Sequence, residues 1–287
     1  MFNKRHIVRT IAATVSILAL SFTAACGSGQ STASNSTDSD DITQQTYKPG
    51  KLTIATGQPA YEPWVMNDKP ESGEGYEAAV AYAVADKLGF KKSDVVWTRT
   101  AFDTAIAPGA KDWDFNIQQF GITDGRKKAV DFSSSYYNDS QSVVVKKDSK
   151  FANATKVSDL KDATVGVMVG TLAYDYAKAN IKDDIQTFND DAALAQALDA
   201  GQIDALVTST VECVYMVQSE QVKDAKVLGR LPDSEDKSGM GIVLPKDSKL
   251  TAAVTKAVDD LNADGTIKKL QDKWLAEYTT DLTELKK

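Results

Sequence analysis

The chain has 287 residues, of which 42% are hydrophobic and 25% charged, and its formal net charge is −7 at neutral pH. This length allows two domains of ordinary size, and the composition is that of a packed globular protein. The acidic balance argues against nucleic acid as a partner. The one histidine, His6, lies in the N-terminal segment, so the sequence predicts no histidine-dependent triad, metal site or cofactor in the folded body.

Residues 1–25 have the pattern of a signal peptide. Three cations precede an apolar stretch at residues 11–22, and the small residues 23–25 follow it. The apolar stretch is shorter than the roughly 20 residues that span a membrane. Cys26 comes next, and the arrangement resembles a bacterial lipobox, in which the cysteine is lipidated and anchors the protein. An ordinary secreted protein with an incidental cysteine is the alternative.

Residues 26–46 predict a disordered tether. They are mostly serine, threonine, asparagine, aspartate and glutamine, and such a segment buries too little apolar surface to fold. With lipid on Cys26, the tether would connect the folded body to the membrane, at a length that suits a Gram-positive surface. The other cysteine, Cys213, then has no disulfide partner, and we expect it to be a buried small hydrophobe.

Hydrophobic periodicity from residue 47 onward predicts strands that alternate with helices. The predicted strands are residues 51–55, 94–97, 114–119, 142–145, 164–169, 203–207 and 239–244. The predicted helices are residues 75–88, 173–180, 189–200 and two further helices after Ser248, each with an apolar face or capping residues. In open α/β sheets, ligands bind beyond the carboxyl ends of the strands.

One such strand end carries a candidate binding residue. The apolar run that ends at Phe120 is followed by Gly121-Ile122-Thr123 and then by Arg126. An arginine beside such a loop suits a carboxylate, because guanidinium presents a planar fork of donors and the loop adds N–H groups and a hydroxyl. A surface salt bridge is the plainer alternative, since such pairs are common and weak.

A longer pattern surrounds this arginine. The run GITDGR at 121–126 is followed by VDFS at 130–133 and by Tyr136-Tyr137. Together they resemble the signature of the family 3 solute-binding proteins, the polar amino-acid receptors of ABC importers, and the resemblance covers nearly everything after Lys48. It implies a periplasmic-binding-protein-like α/β fold, in which two α/β lobes are joined by a two-strand hinge and the ligand lies in the cleft.

The resemblance also sets the expected domains. Lobe 1 comprises residues 47–141 and 239–287, and lobe 2 comprises residues 142–238. We expect a monomeric substrate-binding lipoprotein, not an enzyme, that captures a polar amino acid or close derivative by hinge closure. It would deliver this ligand to an ABC permease from the extracytoplasmic face of the cell membrane, where the lipid holds it.

Family residues carried onto this chain place the ligand α-carboxylate at Arg126. Gly121 and Thr123 line it, and the Gln119 carbonyl accepts a hydrogen bond from the ligand ammonium. These roles are implied by the resemblance and are expectations here.

The other walls of the cleft are assigned in the same way. Tyr61 stacks on the ligand side chain with Trp64 nearby, and Phe102 forms a second wall. Both Tyr61 and Trp64 have an alternative as core aromatics. From the opposite lobe, the turn at Thr171 and Leu172 closes onto the carboxylate, at a helix N-terminus with free N–H groups.

The chain departs from the family at Ser209, where an aspartate usually binds the ligand ammonium. A hydroxyl gives a neutral hydrogen bond where a carboxylate gives a charge-assisted one, which is about twice as strong. Glu62 or Glu212 would supply the missing charge, and we favour Glu62 because it lies in the predicted pocket loop. A ligand without a free α-ammonium also stays open.

Two other functions use the same cleft. One is an enzyme of lyase or dehydratase type, because a fold does not fix a function. The other is a surface sensor that binds without transport. The sequence does not identify which amino acid or derivative is bound.

Overall fold

The computed structural model describes residues 41–279 and 282–287. The predicted signal peptide, Cys26 and the tether up to residue 40 lie outside the described residues. The last residues of the predicted tether are structured: Ile42–Gln44 form a 3-10 turn, Ile42 packs against a hydrophobic core, and Thr46 is buried. The prediction of disorder is therefore wrong for residues 41–46, because Ile42 supplies an apolar contact.

Most predicted elements are present. The strands of the described residues are β1 (Leu52–Thr56), β2 (Val95–Arg99), β3 (Phe115–Asn116), β4 (Val130–Tyr137), β5 (Gln141–Lys146), β6 (Val165–Met168), β7 (Gln186–Phe188), β8 (Ala205–Ser209), β9 (Ala225–Arg230) and β10 (Met240–Pro245). The α-helices are α1 (Tyr76–Lys87), α2 (Phe102–Ile106), α3 (Leu172–Asn180), α4 (Asp191–Asp199), α5 (Thr210–Gln218), α6 (Thr251–Ala263) and α7 (Thr266–Trp274). The elements that were not predicted are α2, β4, β7, α5 and β9.

The strands form two sheets. The first has the order β2-β1-β3-β10-β4, in which β1 is parallel to β2 and β3, and β10 is antiparallel to β3 and β4. The second has the order β7-β6-β8-β5-β9, in which β6 is parallel to β7 and β8, and β5 is antiparallel to β8 and β9. We call the parts built on these sheets lobe 1 and lobe 2. The predicted α/β fold of periplasmic-binding-protein type is confirmed.

Each lobe has its own core, and Val211 of α5 in lobe 2 packs into the core of lobe 1. In lobe 1, α1, α6 and α7 pack on the sheet around the fully buried Trp64, Tyr76 and Phe115. In lobe 2, α3, α4 and α5 cover the sheet, and Cys213 is a fully buried free cysteine, as predicted. Among the described residues, no helix combines the length and apolar character needed to cross a membrane.

Two short segments carry the chain between the sheets. One joins β4 to β5 through residues 138–140, and the other joins β9 to β10 through residues 231–239. The segments touch, because Asp236 N donates to the Asp139 carbonyl (2.9 Å) and Asn138 Nδ2 donates to the Asp236 carbonyl (2.9 Å). Such an arrangement permits hinge motion between lobes. The domain boundaries at 142 and 239 stay predictions.

The C-terminal residues depart from the prediction, which placed all of 239–287 in lobe 1. Leu285 N donates to the Arg230 carbonyl (2.9 Å), and Lys286 N donates to the Thr155 carbonyl (2.9 Å). The Leu285 side chain is buried in the core of lobe 2. One apolar residue in a polar tail, together with paired backbone groups, is enough to hold these residues on lobe 2.

Candidate ligand-binding site

A cavity of about 80 Å³ lies between the lobes, at the carboxyl ends of β1, β6 and β8. This is where α/β sheets bind ligands. The predicted ligand-binding residues that line it are Tyr61, Phe102, Gln119, Gly121, Arg126, Thr171, Leu172 and Ser209. The predicted residues that do not line it are Glu62, Trp64 and Thr123.

Arg126 lies half-buried in the cavity wall of lobe 1. Its Nη1 donates to the Gly121 carbonyl (2.7 Å), and its Nη2 donates to the Gly170 carbonyl of lobe 2 (2.8 Å). Among the described residues, no carboxylate forms an ion pair with it. Burial lowers the pKa of Arg126, and nearby carboxylates oppose the effect. A guanidinium with spare donors and no counter-ion is suited to a ligand anion.

The lobes are in close contact beside this arginine. A methyl group on Gly121 would lie 2.6 Å from Leu172 Cδ1 and 2.9 Å from Asp236 Oδ2. Thr171 caps α3, since its hydroxyl accepts from Tyr174 N (3.2 Å) and donates to a backbone carbonyl (2.8 Å). Because this hydroxyl is used in the cap, an anion at the turn would bind the first backbone N–H groups of α3.

Two aromatic residues of lobe 1, Tyr61 and Phe102, line the cavity. The Tyr61 hydroxyl accepts a long hydrogen bond (3.4 Å) from Ala192 N, near the start of α4 in lobe 2. Burial raises the pKa of Tyr61, so its phenol stays protonated. Phe102 begins α2 and stacks on Phe120 with ring centres 4.7 Å apart. The guanidinium carbon of Arg126 lies 5.4 Å from the centre of the Phe102 ring, a cation–π distance.

A buried carboxylate fixes the backbone at Gln119, which has a positive φ of 47°. Gln119 N donates to Glu77 Oε1 (2.7 Å), and both the Gln119 side-chain amide and the Tyr136 hydroxyl also donate to Glu77. Burial raises the pKa of Glu77 to about 7, although these hydrogen bonds oppose it. A left-handed residue that is not glycine is strained, so this network has a positioning role at the cavity wall.

Carboxylates surround Ser209, the position of the family departure. Ser209 ends β8, and its hydroxyl caps α5 by accepting from Glu212 N (3.3 Å). The cavity wall also contains Asp139 and Asp236 from the two crossing segments and Asp191 from the start of α4. Burial raises the pKa of the carboxyl groups of Asp139, Asp191, Glu212 and Asp236. For Asp139 it raises the pKa to about 7. The charge of Glu212 raises the pKa of Asp191 further.

The hydrogen bonding of these carboxylates is incomplete. The Thr208 hydroxyl lies 2.8 Å from Glu212 Oε2 and 3.3 Å from Asp191 Oδ1, so two carboxylates share one hydroxyl. Asp139 Oδ1 accepts from Ser140 N (2.7 Å), whereas within residues 41–279 and 282–287 Asp139 Oδ2 has no hydrogen-bond partner. In the part of the chain that the structure describes, no group of acidic, histidine or cysteine side chains could hold a metal ion.

Glu62, the favoured replacement for the missing aspartate, points elsewhere. Its Oε1 accepts from Asn67 N (2.9 Å), and its Oε2 accepts from the Tyr215 hydroxyl of lobe 2 (3.1 Å). The sequence alternative, Glu212, does line the cavity. Glu62 therefore lies where the lobes meet, outside the cavity wall.

Trp64 and Thr123 also have other partners. Trp64 is fully buried, with its ring 5.5 Å from that of Tyr137 and 6.0 Å from that of Tyr76. The Thr123 hydroxyl accepts from Arg126 N (3.2 Å) and thereby shapes the turn that holds the arginine. Trp64 thus matches the alternative of a core aromatic.

Sequence reasoning missed Asp139, Asp191 and Asp236 as cavity residues. Asp191 was interpreted only as part of the cap of the helix predicted at residues 189–200. Asp139 and Asp236 lie in the two segments between the sheets, which have no hydrophobic periodicity or motif. A signal existed for Asp139, because it lies shortly before residue 142, where the predicted lobe 2 begins.

Comparisons with known proteins agree with this geometry. The model of the bacterial extracellular solute-binding proteins, family 3, matches residues 52–277. The L-arginine-binding protein of Pseudomonas aeruginosa is 29% identical over 80% of this chain and 88% of its own length. The L-cystine-binding protein TcyA of Bacillus subtilis is 28% identical over 92% of this chain and 94% of its own. The structure of an ancestral arginine-binding protein bound to arginine superposes with a TM-score of 0.67 and 31% identity, covering 78% of this chain and 98% of that one.

The fold and the cavity define a two-lobed solute-binding protein. The chain belongs to the bacterial extracellular solute-binding proteins, family 3, and the resemblance seen in its sequence is confirmed.

Proposed function

We propose that this protein is the substrate-binding lipoprotein of an ABC importer and that it captures a polar amino acid in the cavity between its lobes. One observation carries the proposal: among the described residues, the cavity has a guanidinium without an ion pair, Arg126, on one side and carboxylates without ion pairs around Ser209 on the other. An amino acid is the complementary zwitterion. Its α-carboxylate binds Arg126, and its ammonium binds the acidic side.

Hinge closure is supported by contacts between the lobes around the cavity. Arg126 donates to Gly170, Ala192 N donates to the Tyr61 hydroxyl, and the Tyr215 hydroxyl donates to Glu62. These are few polar contacts at the edges of a cleft, which suits an interface that opens and closes. Closure removes water from the cavity and thereby strengthens the ion pairs formed with the ligand.

The membrane anchor and the permease complete the proposal. The sequence of residues 1–25 and the position of Cys26 support lipidation, which would hold the protein on the outer face of the membrane of a Gram-positive cell. Mass spectrometry of the mature N-terminus tests this directly. Cys26→Ala should release the protein into the medium, and retention of that variant on the cells would contradict lipid anchoring.

The enzyme alternative has one observation in its favour: buried carboxyl groups with raised pKa values suit proton transfer. Opposing charges that match a zwitterion favour binding without reaction. Incubation with the ligand followed by mass analysis distinguishes the two. Recovery of unchanged ligand supports the receptor, and turnover that Asp139→Asn abolishes would support the enzyme.

The test of the binding function is a thermal-shift panel of the common amino acids on the purified protein. A ligand at 100 times its Kd stabilises the fold by about 2.7 kcal/mol. We expect a shift with at least one polar amino acid, lost in Arg126→Ala and kept in Arg230→Ala, which removes an exposed arginine of lobe 2. The absence of any shift, or an equal shift in Arg126→Ala, would contradict the proposal.

A further inference from the structure

We infer that the cavity is built for an amino acid whose side chain carries a second positive charge, with Asp139 holding the α-ammonium and the pair Asp191 and Glu212 holding the side-chain cation. The inference rests on the proposed function, which places the α-carboxylate at Arg126. It goes further, because it fixes the charge of the ligand and assigns roles to Asp139, Asp191 and Glu212.

The first step is the charge balance of the cavity wall. One guanidinium faces the carboxyl groups of Asp139, Asp191, Glu212 and Asp236. None of these five groups is in an ion pair with another described residue. A zwitterion adds no net charge and leaves this acidic excess in place. A ligand with two cationic groups and one carboxylate offsets it, and an uncompensated buried carboxylate is costly.

The second step places the α-ammonium at Asp139. Its segment lies beside the end of β8, because Gln141 pairs with Ser209 and Thr210 N donates to the Ser140 carbonyl (2.8 Å). Asp139 is only 7% exposed, and its Oδ2 has no hydrogen-bond partner among the described residues. A buried carboxylate oxygen that lines a cavity without a donor needs one from a ligand. This carboxylate therefore supplies, from the crossing segment, the charge that Ser209 lacks.

The third step places the side-chain cation at Asp191 and Glu212. These carboxylates share the Thr208 hydroxyl and are 7% exposed each. They lie near Tyr61, the aromatic expected to cover the ligand side chain, whose hydroxyl contacts Ala192 N. A cation between two close carboxylates relieves their mutual repulsion, so the pair selects for positive charge.

Binding should release protons. Burial favours the protonated form of Asp139, Asp191 and Glu212 in the empty cavity. The other charged groups of the described residues that face them are Asp190, which adds negative charge near Tyr61, Glu77, whose pKa the charge of Glu212 raises, and Arg126 and Asp236 on the carboxylate side. A bound cation favours the ionised carboxylates, so affinity should rise with pH up to and through about 7.

The probes are L-arginine and L-citrulline, which have nearly the same shape and differ in side-chain charge. Calorimetric titration of the purified protein should show at least a 100-fold preference for L-arginine. Repeating the titration in buffers of different ionisation enthalpy should show proton release near pH 6.5. If L-arginine and L-citrulline bind with equal affinity, and both lose affinity in Arg126→Ala, this inference is overturned and the proposed function stands. Absence of binding by any amino acid would overturn both.

Variants test the assignments of Glu212 and Asp139. Glu212→Gln should reduce the preference for L-arginine at least 10-fold by weakening L-arginine more than L-citrulline. Asp139→Asn should weaken both probes by similar factors. Glu220→Gln is the matched control, because Glu220 is exposed and lies just after helix α5, which contains Glu212. It should change neither the preference for L-arginine nor the affinity for either probe. An unchanged preference in Glu212→Gln would overturn the side-chain assignment. The wild-type comparison of the two probes stays decisive even where a variant fails to fold.

Discussion

Arg126 of lobe 1 donates a hydrogen bond of 2.8 Å to the carbonyl of Gly170 in lobe 2. The same guanidinium is the proposed partner of the ligand carboxylate. One side chain therefore joins ligand recognition to closure of the cleft, because its fork has donors for both. The planar geometry of the fork matters here as much as the charge.

Replacing Arg126 by lysine tests this geometry. Lysine keeps the positive charge but lacks the planar fork that bonds two groups at once. We expect Arg126→Lys to weaken the binding of the amino acid selected by the panel about 10- to 100-fold, measured by calorimetry. Arg230→Lys is the control and should bind as the wild type does. Wild-type affinity in Arg126→Lys would show that charge alone suffices.

Gly121 tests whether close approach of the lobes is required. In Gly121→Ala the new methyl group would lie 2.6 Å from Leu172 Cδ1, so closure should require a shift of that side chain. We expect a several-fold loss of ligand affinity, measured by calorimetry. Adding Leu172→Ala should restore part of it, whereas Gly125→Ala places a methyl group 3.8 Å from Thr123 Oγ1, an ordinary contact distance, and should have little effect. A further loss in the double variant would contradict the steric explanation.

Glu77 tests the support of the cavity wall. Glu77→Ala removes the acceptor for Gln119 N and for the Tyr136 hydroxyl. Unsatisfied buried donors cost about 1–3 kcal/mol each, so the free energy of unfolding should fall by at least that amount in denaturant titrations. Ligand affinity should fall too, because Gln119 loses the contacts that hold its backbone. Glu74→Ala is the exposed control. If Glu77→Ala kept the wild-type free energy of unfolding but bound the ligand more weakly, the effect on the cavity would be separate from the effect on stability.

Asp139 makes the stability of the ligand-free protein depend on pH. Its pKa is about 7 in the folded state, above the ordinary value of 3.8. The folded state therefore binds the proton more tightly than the unfolded state, and this contribution is present at acidic pH and is lost as pH rises through about 7. The difference corresponds to a few kcal/mol, at about 1.4 kcal/mol per pKa unit.

Asp139→Asn should flatten this dependence between pH 4 and pH 7, as measured by denaturant titrations across that range. Asp148→Asn, an exposed aspartate of lobe 2, is the matched control. An identical slope in Asp139→Asn and the wild type would show that Asp139 does not titrate in this range in the folded protein.

Leu285 tests the attachment of the C-terminus to lobe 2. Truncating a buried leucine to alanine costs about 2–5 kcal/mol in a well-packed core. The residues on both sides of Leu285 are exposed and leave room for relaxation, so we expect Leu285→Ala to reduce the free energy of unfolding by about 2 kcal/mol. Lys286→Ala, its exposed neighbour, should change it little. A neutral Leu285→Ala would indicate that the tail contributes nothing to stability.

The fold was predictable from sequence where hydrophobic periodicity was strong. The strands near residues 52, 165 and 205 and the helices α1, α3, α4, α6 and α7 match predicted segments. The missed strand β4 contains three consecutive serines, and its buried and partly buried residues do not alternate regularly. Helix α5 begins at Thr210 directly after β8, so no turn residues marked its start.

The site was predictable only where the family pattern covered it. Arg126, Gly121 and Tyr61 belong to such patterns and line the cavity. Asp139 and Asp191 lie on segments that are far apart in the sequence and meet only in the folded protein. No local sequence pattern predicts that both line one cavity. Glu62 was chosen by its position in the loop, but the direction of its side chain is set by Asn67 and Tyr215.

The most direct test of the central claim compares an amino acid with two of its derivatives. The amino acid selected by the panel is titrated beside its α-carboxamide, which lacks the carboxylate, and its N-acetyl form, which lacks the ammonium. If Arg126 and the carboxylates around Ser209 hold the two charges of a zwitterion, each derivative should bind at least 100-fold more weakly than the parent amino acid. Binding of either derivative as tightly as the parent would contradict the account.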